Sequence, residues 1–305
     1  MKKFLLHLCL FACIFFTVDK LFYVFIAHAP TLEVDKRLEL LMEGKINKEI
    51  LIIGSSRAAE NIIASQIEKE TNQSAYNLGY PGSSIEFHSF LLKTLLKYNK
   101  KPKIIVLTID NPSEFLPEKT LNFRNDQLYP LVKYNYITQE LIDRKEKNVF
   151  SKFLYLARIN KVNFDLTQRK QAVKNPLRPD GSSPFLFKKS ERKFSYTNDN
   201  GKYPVDKEIK TRLKSFLEFQ NTCKNNNIQL VLCYTPNFKS FNTNFEKRMQ
   251  QISLKENFTF IYDTTNTKYK NIDYFYDESH LNYTGAKMFT SEISSYINNL
   301  KKAAK

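Results

Sequence analysis

Cysteine, glycine and histidine are scarce in this chain of 305 residues. The four cysteines, at positions 9, 13, 223 and 233, are too few and too scattered for a disulfide scaffold or for a zinc cluster with paired short spacings. The sequence therefore predicts neither a metal site nor a cofactor. Seven glycines and four histidines are few enough for the position of each one to be informative.

Acidic residues are outnumbered by basic ones. The chain has 47 Lys and Arg against 31 Asp and Glu, a formal net charge of +16, which predicts an anionic partner or surface such as nucleic acid, an acidic glycopolymer or membrane headgroups. Hydrophobic residues make up 42% and aromatic residues 14%. This apolar surface is enough to offset chain entropy, so a disordered chain is excluded.

The N-terminus carries two basic residues and a long apolar stretch. Lys2 and Lys3 precede the stretch at 4–27, which is interrupted chiefly by the charged pair Asp19 and Lys20. As a helix, this stretch would cross a hydrocarbon core about 30 Å thick, with the charged pair near the far side or snorkelling to the interface. It therefore predicts a signal anchor that forms a single transmembrane helix.

The predicted anchor covers residues 1–30. A cleaved signal peptide is the alternative, because Ala27, His28 and Ala29 have the small-x-small form of a cleavage site; the Pro30 that follows disfavours cleavage. The N-terminal lysines predict a cytoplasmic N-terminus and an extracytoplasmic location for the rest of the chain. That location disfavours nucleic acid and favours anionic envelope polymers or lipid headgroups as partners.

Short apolar runs alternate with amphipathic stretches after position 48. The runs predict strands at 49–53, 74–78, 103–109, 228–234 and 258–262, and the stretches predict helices at 58–71, 84–98, 205–225, 244–256 and 283–301. Strands that are apolar throughout are typical of a parallel sheet covered on both faces. The alternation predicts an α/β fold.

Two segments depart from this alternation. Residues 31–48 are charged and are predicted to form a helical stalk, and residues 112–203 are basic, aromatic and Pro-rich. The second segment is predicted to be an insertion or a lid, with weak helices at 134–145 and 149–159. The predicted elements also place the Cα atoms of Cys223 and Cys233 more than about 7 Å apart, beyond the reach of a disulfide.

Polar residues follow the first predicted strand in the sequence Gly54-Ser55-Ser56-Arg57. Ligands of open α/β sheets bind at the carboxyl ends of the strands, and a serine at that edge can be a nucleophile if a base is near. The alternative is that Ser55 and Ser56 only cap the helix that follows.

A candidate base lies just before the last predicted helix, in the sequence Asp277-Glu278-Ser279-His280. His7 and His28 lie in or beside the anchor, and His88 falls at helical spacing with apolar residues, which favours a packing role for it. Of the four histidines, His280 is therefore the candidate base. A carboxylate three residues earlier can fix its tautomer, although a surface turn would have the same pattern.

The ends of the second and third strands carry further polar residues. Asn77 and Gly79 follow the second strand, and Asp110 and Asn111 follow the third. Glycine lets a backbone N–H approach a ligand closely, so these residues could contribute donors at the same edge of the sheet. A plain turn is the alternative at either position.

Taken in chain order, the residues that follow the first, second and third strands and the Asp-x-x-His before the last helix resemble the four blocks of the SGNH/GDSL hydrolase superfamily. The resemblance spans about residues 49–290, with the insertion uncovered. The Gly-Ser-Ser-Arg form behind an anchor is similar to SGNH-like envelope proteins encoded with bacterial surface-polysaccharide and teichoic-acid modification systems. The resemblance implies a flavodoxin-like three-layer α/β/α sandwich with a central parallel sheet at 49–305, preceded by one transmembrane helix. It also implies roles in catalysis: Ser56 as nucleophile, His280 as base and Asp277 as orienting acid.

The resemblance further implies an oxyanion hole made by the backbone N–H groups of Ser56 and Gly79. The side-chain donor of the family, an Asn after the third strand, aligns best with Asp110, whose carboxylate would repel an oxyanion. Asn111 or Asn77 would then have to supply the donor, or activity would be reduced or lost. Arg57 and Asp110 are predicted to contact substrate.

The sequence thus predicts a serine esterase or O-acyltransferase of the bacterial envelope that acts on ester groups of a surface glycan. Its expected partners are an anionic or acylated polymer, the membrane, and a membrane-bound acyltransferase. The alternative is a catalytically inactive SGNH-like subunit that binds or assembles polymer. A phospholipase fits the same features less specifically.

Overall fold

The computed structural model describes residues 1–28, 35–159, 175–186, 194–198 and 201–303. The predicted boundary between anchor and stalk, at residues 30 and 31, lies outside the described residues, as do parts of the predicted insertion. The helices and strands are α1 (Lys2–His28), α2 (Arg37–Met42), β1 (Ile50–Gly54), α3 (Ser56–Asn61), α4 (Ala64–Thr71), β2 (Ala75–Gly79), α5 (Ile85–Tyr98), β3 (Ile104–Ile109), α6 (Asn125–Leu128), α7 (Asn135–Asp143), α8 (Lys210–Asn225), β4 (Gln229–Tyr234), α9 (Thr243–Ile252), β5 (Phe258–Ile261) and α10 (Tyr283–Ala303).

The strands form one parallel sheet in the order β2-β1-β3-β4-β5. This is the doubly wound order found in flavodoxin, in which the chain leaves β1 in opposite directions towards β2 and β3. Gly54 pairs with Gly79, and Ile53 pairs with both Leu78 and Leu107. The carboxyl ends of β1, β2 and β3 therefore lie side by side. The predicted α/β class with a parallel sheet is confirmed.

Strands β1, β2 and β3 are buried along their whole length because helices cover the sheet. Helix α10 contacts both α3 and α4, and helices α5 and α8 contact each other. The four residues Ile50–Ile53 are completely buried, as an uninterrupted apolar run in a covered sheet requires. The arrangement is consistent with three layers of helix, sheet and helix.

The predicted helix at 58–71 is wrong in one respect, since two helices stand in its place. Ile62 and Ile63 between them have extended backbone. The Ile63 N–H donates to the Thr290 Oγ1, 3.1 Å away, and the Asn77 side-chain amide donates to the Ile62 carbonyl at 2.8 Å. Hydrogen bonds from distant parts of the chain thus replace those that a continuous helix would make.

The predicted helix at 149–159 is also wrong. The chain there forms two short 3₁₀ turns, Val149–Lys152 and Leu156–Arg158. The Arg158 side chain donates back to the Ser151 carbonyl at 2.8 Å, and the Ser151 hydroxyl donates to the Ala157 carbonyl at 2.9 Å. These bonds fold the second turn back on the first. The weak helix predicted at 134–145 is present as α7.

The chain divides into two compact units. One consists of Met1–Glu39 and Arg124–Ala172, and the other consists of Leu40–Phe123 and Val173–Lys305. The predicted insertion at 112–203 therefore coincides with the first unit only in part. The sheet and every residue of the predicted site belong to the second unit.

Helix α1 is 27 residues long, and its most apolar window has a mean hydropathy of 2.0. By length and composition it can cross a membrane, and it is the one helix among the described residues that can. A signal sequence meets the same criterion, so the choice between anchor and signal peptide stays a prediction.

All four cysteines lie among the described residues, and each is free. Cys223 is buried in α8 and Cys233 in β4. Burial raises the pKa of the Cys223 thiol to about 12 and raises that of Cys233 further still. Both side chains are therefore packed as small apolar groups in the neutral thiol form.

Candidate active site

A serine, a histidine and an aspartate meet at the carboxyl edge of the sheet. Ser56 is the first residue of α3 and directly follows the turn after β1, and His280 lies in the loop before α10. The Ser56 Oγ is 2.8 Å from His280 Nε2, and His280 Nδ1 is 2.8 Å from Asp277 Oδ1. The fold thus joins two residues that are 224 positions apart in the sequence.

The Asp277 carboxylate fixes both the loop and the imidazole. Its Oδ1 accepts hydrogen bonds from the backbone N–H groups of Ser279 and His280, each at 2.9 Å, as well as from the ring. Burial raises the pKa of Asp277, but the hydrogen bond and charge of His280 and the two backbone donors lower it overall. The ionised Asp277 carboxylate accepts a hydrogen bond from the Nδ1–H of His280, which favours the tautomer whose Nε2 is unprotonated. Nε2 can then accept the Ser56 hydroxyl proton.

The loop that carries His280 is tied to the helix that carries Ser56. The Leu281 N–H donates to Asn61 Oδ1 at 2.9 Å, across the end of α3. On its other side, the His280 ring meets the edge of Phe185 with the centroids 5.8 Å apart. The loop is therefore attached to α3 while the imidazole packs against Phe185, which favours a single geometry towards Ser56.

A second carboxylate, which was not predicted from the sequence, faces the imidazole. Glu60 Oε2 lies 3.4 Å from His280 Nε2. Burial raises the pKa of Glu60 to about 7; the positive charge of His280 opposes this rise, and the negative charge of Asp277 adds to it. Glu60 stands four residues after Ser56, so helical spacing places both on one face of α3, a signal that could have revealed it.

The pKa of His280 reflects these neighbours. Burial lowers it, but the hydrogen bond to Asp277 and the charges of Glu60 and Asp277 outweigh burial and raise it. The imidazole therefore accepts a proton more readily than an ordinary histidine does. This is the property that a general base at neutral pH requires.

Beside these residues is a cavity of about 350 Å³. Its lining includes Ser56 and His280, and it carries charges of both signs from Arg57, Lys239 and Asp110. A polar cavity of this size, open to solvent next to a paired serine and histidine, can accept part of a hydrophilic ester substrate.

Arg57 and Asp110, both predicted to contact substrate, line the cavity and face each other. The Arg57 Nε is 3.3 Å from Asp110 Oδ1, and both side chains are nearly buried. Glu114 accepts a hydrogen bond from the Asp110 backbone N–H at 2.9 Å. Burial and the Asp110 charge raise the pKa of Glu114 to about 8, which keeps it neutral at pH 7. The positive charge of Arg57 partly neutralises the Asp110 carboxylate at the cavity.

Three of the predicted oxyanion donors are used elsewhere. The Gly79 N–H donates to Asn77 Oδ1 at 2.8 Å, and the Asn77 amide donates to the carbonyls of Ile62 and Ala58. The Asn111 amide is directed towards the carbonyl of Asn242, 3.5 Å away. Each of these groups therefore has an internal partner, and their roles as oxyanion donors stay predictions.

The backbone N–H of Ser56, the remaining predicted oxyanion donor, is available to donate to a ligand. As the first N–H of α3 it has no partner within the helix.

His88, predicted to have a packing role, is fully buried and contacts the Ser83 hydroxyl at 2.8 Å. Ser83 in turn donates to the carbonyl of Tyr80, so this pair supports the turn after β2.

Comparison with protein-family models finds no match, and comparison with curated protein sequences finds none. Membership of the SGNH/GDSL superfamily and the catalytic roles of the site residues therefore stay predictions. Within the part of the chain that the structure describes, no group of three or more His, Cys, Asp and Glu side chains could hold a metal ion.

Proposed function

We propose that this chain is an envelope-anchored serine esterase or O-acyltransferase of the SGNH type, acting on ester groups of a surface glycan. One observation carries the proposal: Ser56, His280 and Asp277 form a continuous hydrogen-bonded series with both links at 2.8 Å. A serine paired with an oriented histidine is the arrangement that acyl transfer uses.

In the proposed reaction the Ser56 Oγ attacks the ester carbonyl carbon while its proton passes to His280 Nε2. Asp277 stabilises the resulting imidazolium, and the Ser56 N–H donates to the oxyanion. When the tetrahedral intermediate collapses, the ester C–O bond breaks and the leaving alcohol takes the proton from His280. An acyl group is then bonded to Ser56.

The acyl group leaves by the reverse sequence. A water molecule or an acceptor hydroxyl attacks the acyl carbon, His280 removes its proton, and Ser56 is released with its proton restored. Water gives an esterase and a glycan hydroxyl gives an O-acyltransferase, so one site serves either reaction. A membrane-bound acyltransferase would be a suitable source of acyl groups for the second.

The proposed substrate class follows from charge and location. The net charge of +16 and the cationic Arg57 and Lys239 in the cavity lining favour an anionic polymer. Helix α1 favours a membrane location, and the two N-terminal lysines favour an extracytoplasmic site. Polymers of the cell envelope meet both conditions.

A polymer-binding subunit without catalysis is the second candidate. It is favoured by the oxyanion donors, since the Gly79 N–H and the Asn111 amide are both directed at internal acceptors. A site with one backbone donor would stabilise the tetrahedral intermediate less than a complete oxyanion hole does.

Labelling with a fluorophosphonate probe separates the two candidates. The full chain in detergent should be labelled, and labelling should be lost in both Ser56→Ala and His280→Ala. Ser113→Ala is the matched control, since Ser113 lines the same cavity outside the series, and it should be labelled like the parent. If the parent takes up no probe and hydrolyses no p-nitrophenyl acetate, the binding function is favoured instead.

A further inference from the structure

Helix α1 contains a charged pair that the first unit of the chain covers. Asp19 is 0% exposed although it lies in an apolar helix, and its Oδ1 accepts a hydrogen bond from the Leu156 N–H at 2.9 Å. Lys20 donates to the Phe153 carbonyl at 2.8 Å and lies 4.8 Å from the centre of the Tyr155 ring. Residues 149–159, here called the 149–159 segment, are thus docked on α1 at its charged pair.

The 149–159 segment presents apolar side chains outward. Val149 is 57% exposed, Phe150 is 62% exposed and Phe153 is 64% exposed. The buried Arg158 holds the segment together, since its side chain donates to the Ser151 carbonyl at 2.8 Å. In water, the exposure of these apolar side chains would be unfavourable in free energy.

The depth of the charged pair in the membrane fits this surface. Asp19 comes 17 residues after Lys2, which is about 26 Å along a helix axis, while the hydrocarbon core is about 30 Å thick. With Lys2 at one interface, Asp19 and the 149–159 segment reach the opposite interface. Aromatic side chains are stable at that level, where apolar rings and polar backbone both find suitable surroundings.

We propose that the 149–159 segment is a membrane-interfacial element, which inserts Val149, Phe150 and Phe153 into the lipid bilayer beside α1 and shields Asp19 from it. The occupant of this surface is lipid, because the surface continues the exposed apolar side of α1 within the same compact unit. The exposed Lys152 lies between the two phenylalanines and can reach the lipid phosphates. The proposal rests on the membrane span of α1 and is independent of the ester chemistry.

Single tryptophans test this placement, because the chain contains none. Phe150→Trp and Phe153→Trp are made in the full chain, which is reconstituted in nanodiscs of phosphatidylcholine and phosphatidylglycerol. Leu217→Trp is the exposed control outside the segment, at 48% exposure on α8, and Phe11→Trp is the control within α1, at 67% exposure. Quenching of tryptophan emission is measured with brominated phosphatidylcholine and with aqueous iodide.

Brominated lipid should remove about half of the emission at positions 150 and 153, and bromines near the headgroup end of the acyl chain should quench more than bromines near its middle, as interfacial depth requires. Iodide should quench Leu217→Trp and spare both segment variants. If iodide quenches the segment variants like Leu217→Trp while brominated lipid quenches Phe11→Trp, the segment is in water and the proposal is refuted with the anchor intact.

Two other outcomes also overturn the proposal. Failure of brominated lipid to quench Phe11→Trp would show that α1 does not span the membrane, and the proposal would fall with it. Protection of positions 150 and 153 from both quenchers would show that protein covers the segment, either a second copy or a membrane partner. Fluorophosphonate labelling of the same samples reports on Ser56 separately from either result.

Discussion

Replacing Glu60 with glutamine tests the electrostatics of the site, because the negative charge of this buried side chain is unfavourable in its surroundings. In the folded chain, burial raises the pKa of Glu60 from its ordinary value of 4.5 to about 7. A rise of this size corresponds to at most about 3.5 kcal/mol of unfolding free energy. Glutamine has nearly the same shape and no charge, so the substitution isolates this contribution.

The sign of the effect follows from proton binding. Between pH 4.5 and about 7 the folded state binds more protons at Glu60 than the unfolded state does, so the stability of the parent falls as the pH rises through this window. Above about pH 7 the parent has lost the whole of this stability. The Glu60→Gln chain has no such loss and should gain stability relative to the parent as the pH rises. His280 titrates in contact with Glu60, so the profile belongs to the pair.

The assay is the melting temperature of the full chain in detergent, measured from pH 5 to pH 8. The difference between variant and parent should grow by about 5–10 °C over this range, given that each kcal/mol shifts the melting temperature of a domain of this size by about 2–4 °C. Glu278→Gln is the matched control, since Glu278 is exposed in the His280 loop, and its difference should stay constant. A constant difference for Glu60→Gln as well would refute the reasoning.

Three further results are expected from variants of the site. The acid limb of kcat/KM should move to lower pH in Glu60→Gln, because the negative charge that helps to raise the pKa of His280 is gone; an unmoved limb would contradict this. Asp277→Asn should lower kcat for p-nitrophenyl acetate about 10³- to 10⁴-fold through the wrong imidazole tautomer, and a loss below tenfold would remove Asp277 from the reaction. In Gly79→Ala the added Cβ would overlap the Ala59 backbone nitrogen in α3, so we expect a loss of about 1–3 kcal/mol in unfolding free energy, and an unchanged melting temperature would argue against this packing.

The sheet was predictable because its strands are apolar on both faces. The runs at 49–53 and 103–109 have no polar residue after Glu49 and Lys103 except Thr108, and a buried strand needs this composition. The break between α3 and α4 was not predictable, because Ile62 and Ile63 continue the apolar pattern of a helix. What stabilises the break is a hydrogen bond to Thr290, a contact 227 residues away in the sequence.

The positions of the site residues were more predictable than the directions of their side chains. Residues that follow parallel strands must lie at one edge of the sheet, which brought Ser56 and Asp110 into one region. Whether an amide such as that of Asn77 is directed into the cavity or back at a carbonyl depends on the local backbone. Glu60 was missed since a charged residue on a helix is usually exposed, whereas this one is buried against His280.

The free thiols of Cys223 and Cys233 have a practical consequence for handling the protein. Since the described residues hold no disulfide, reducing conditions should not destabilise the fold. Because both thiols are neutral and buried, maleimide reagents should leave Cys223 and Cys233 unmodified while the fold is intact. Reaction of either thiol with maleimide would therefore report the unfolding of the second unit.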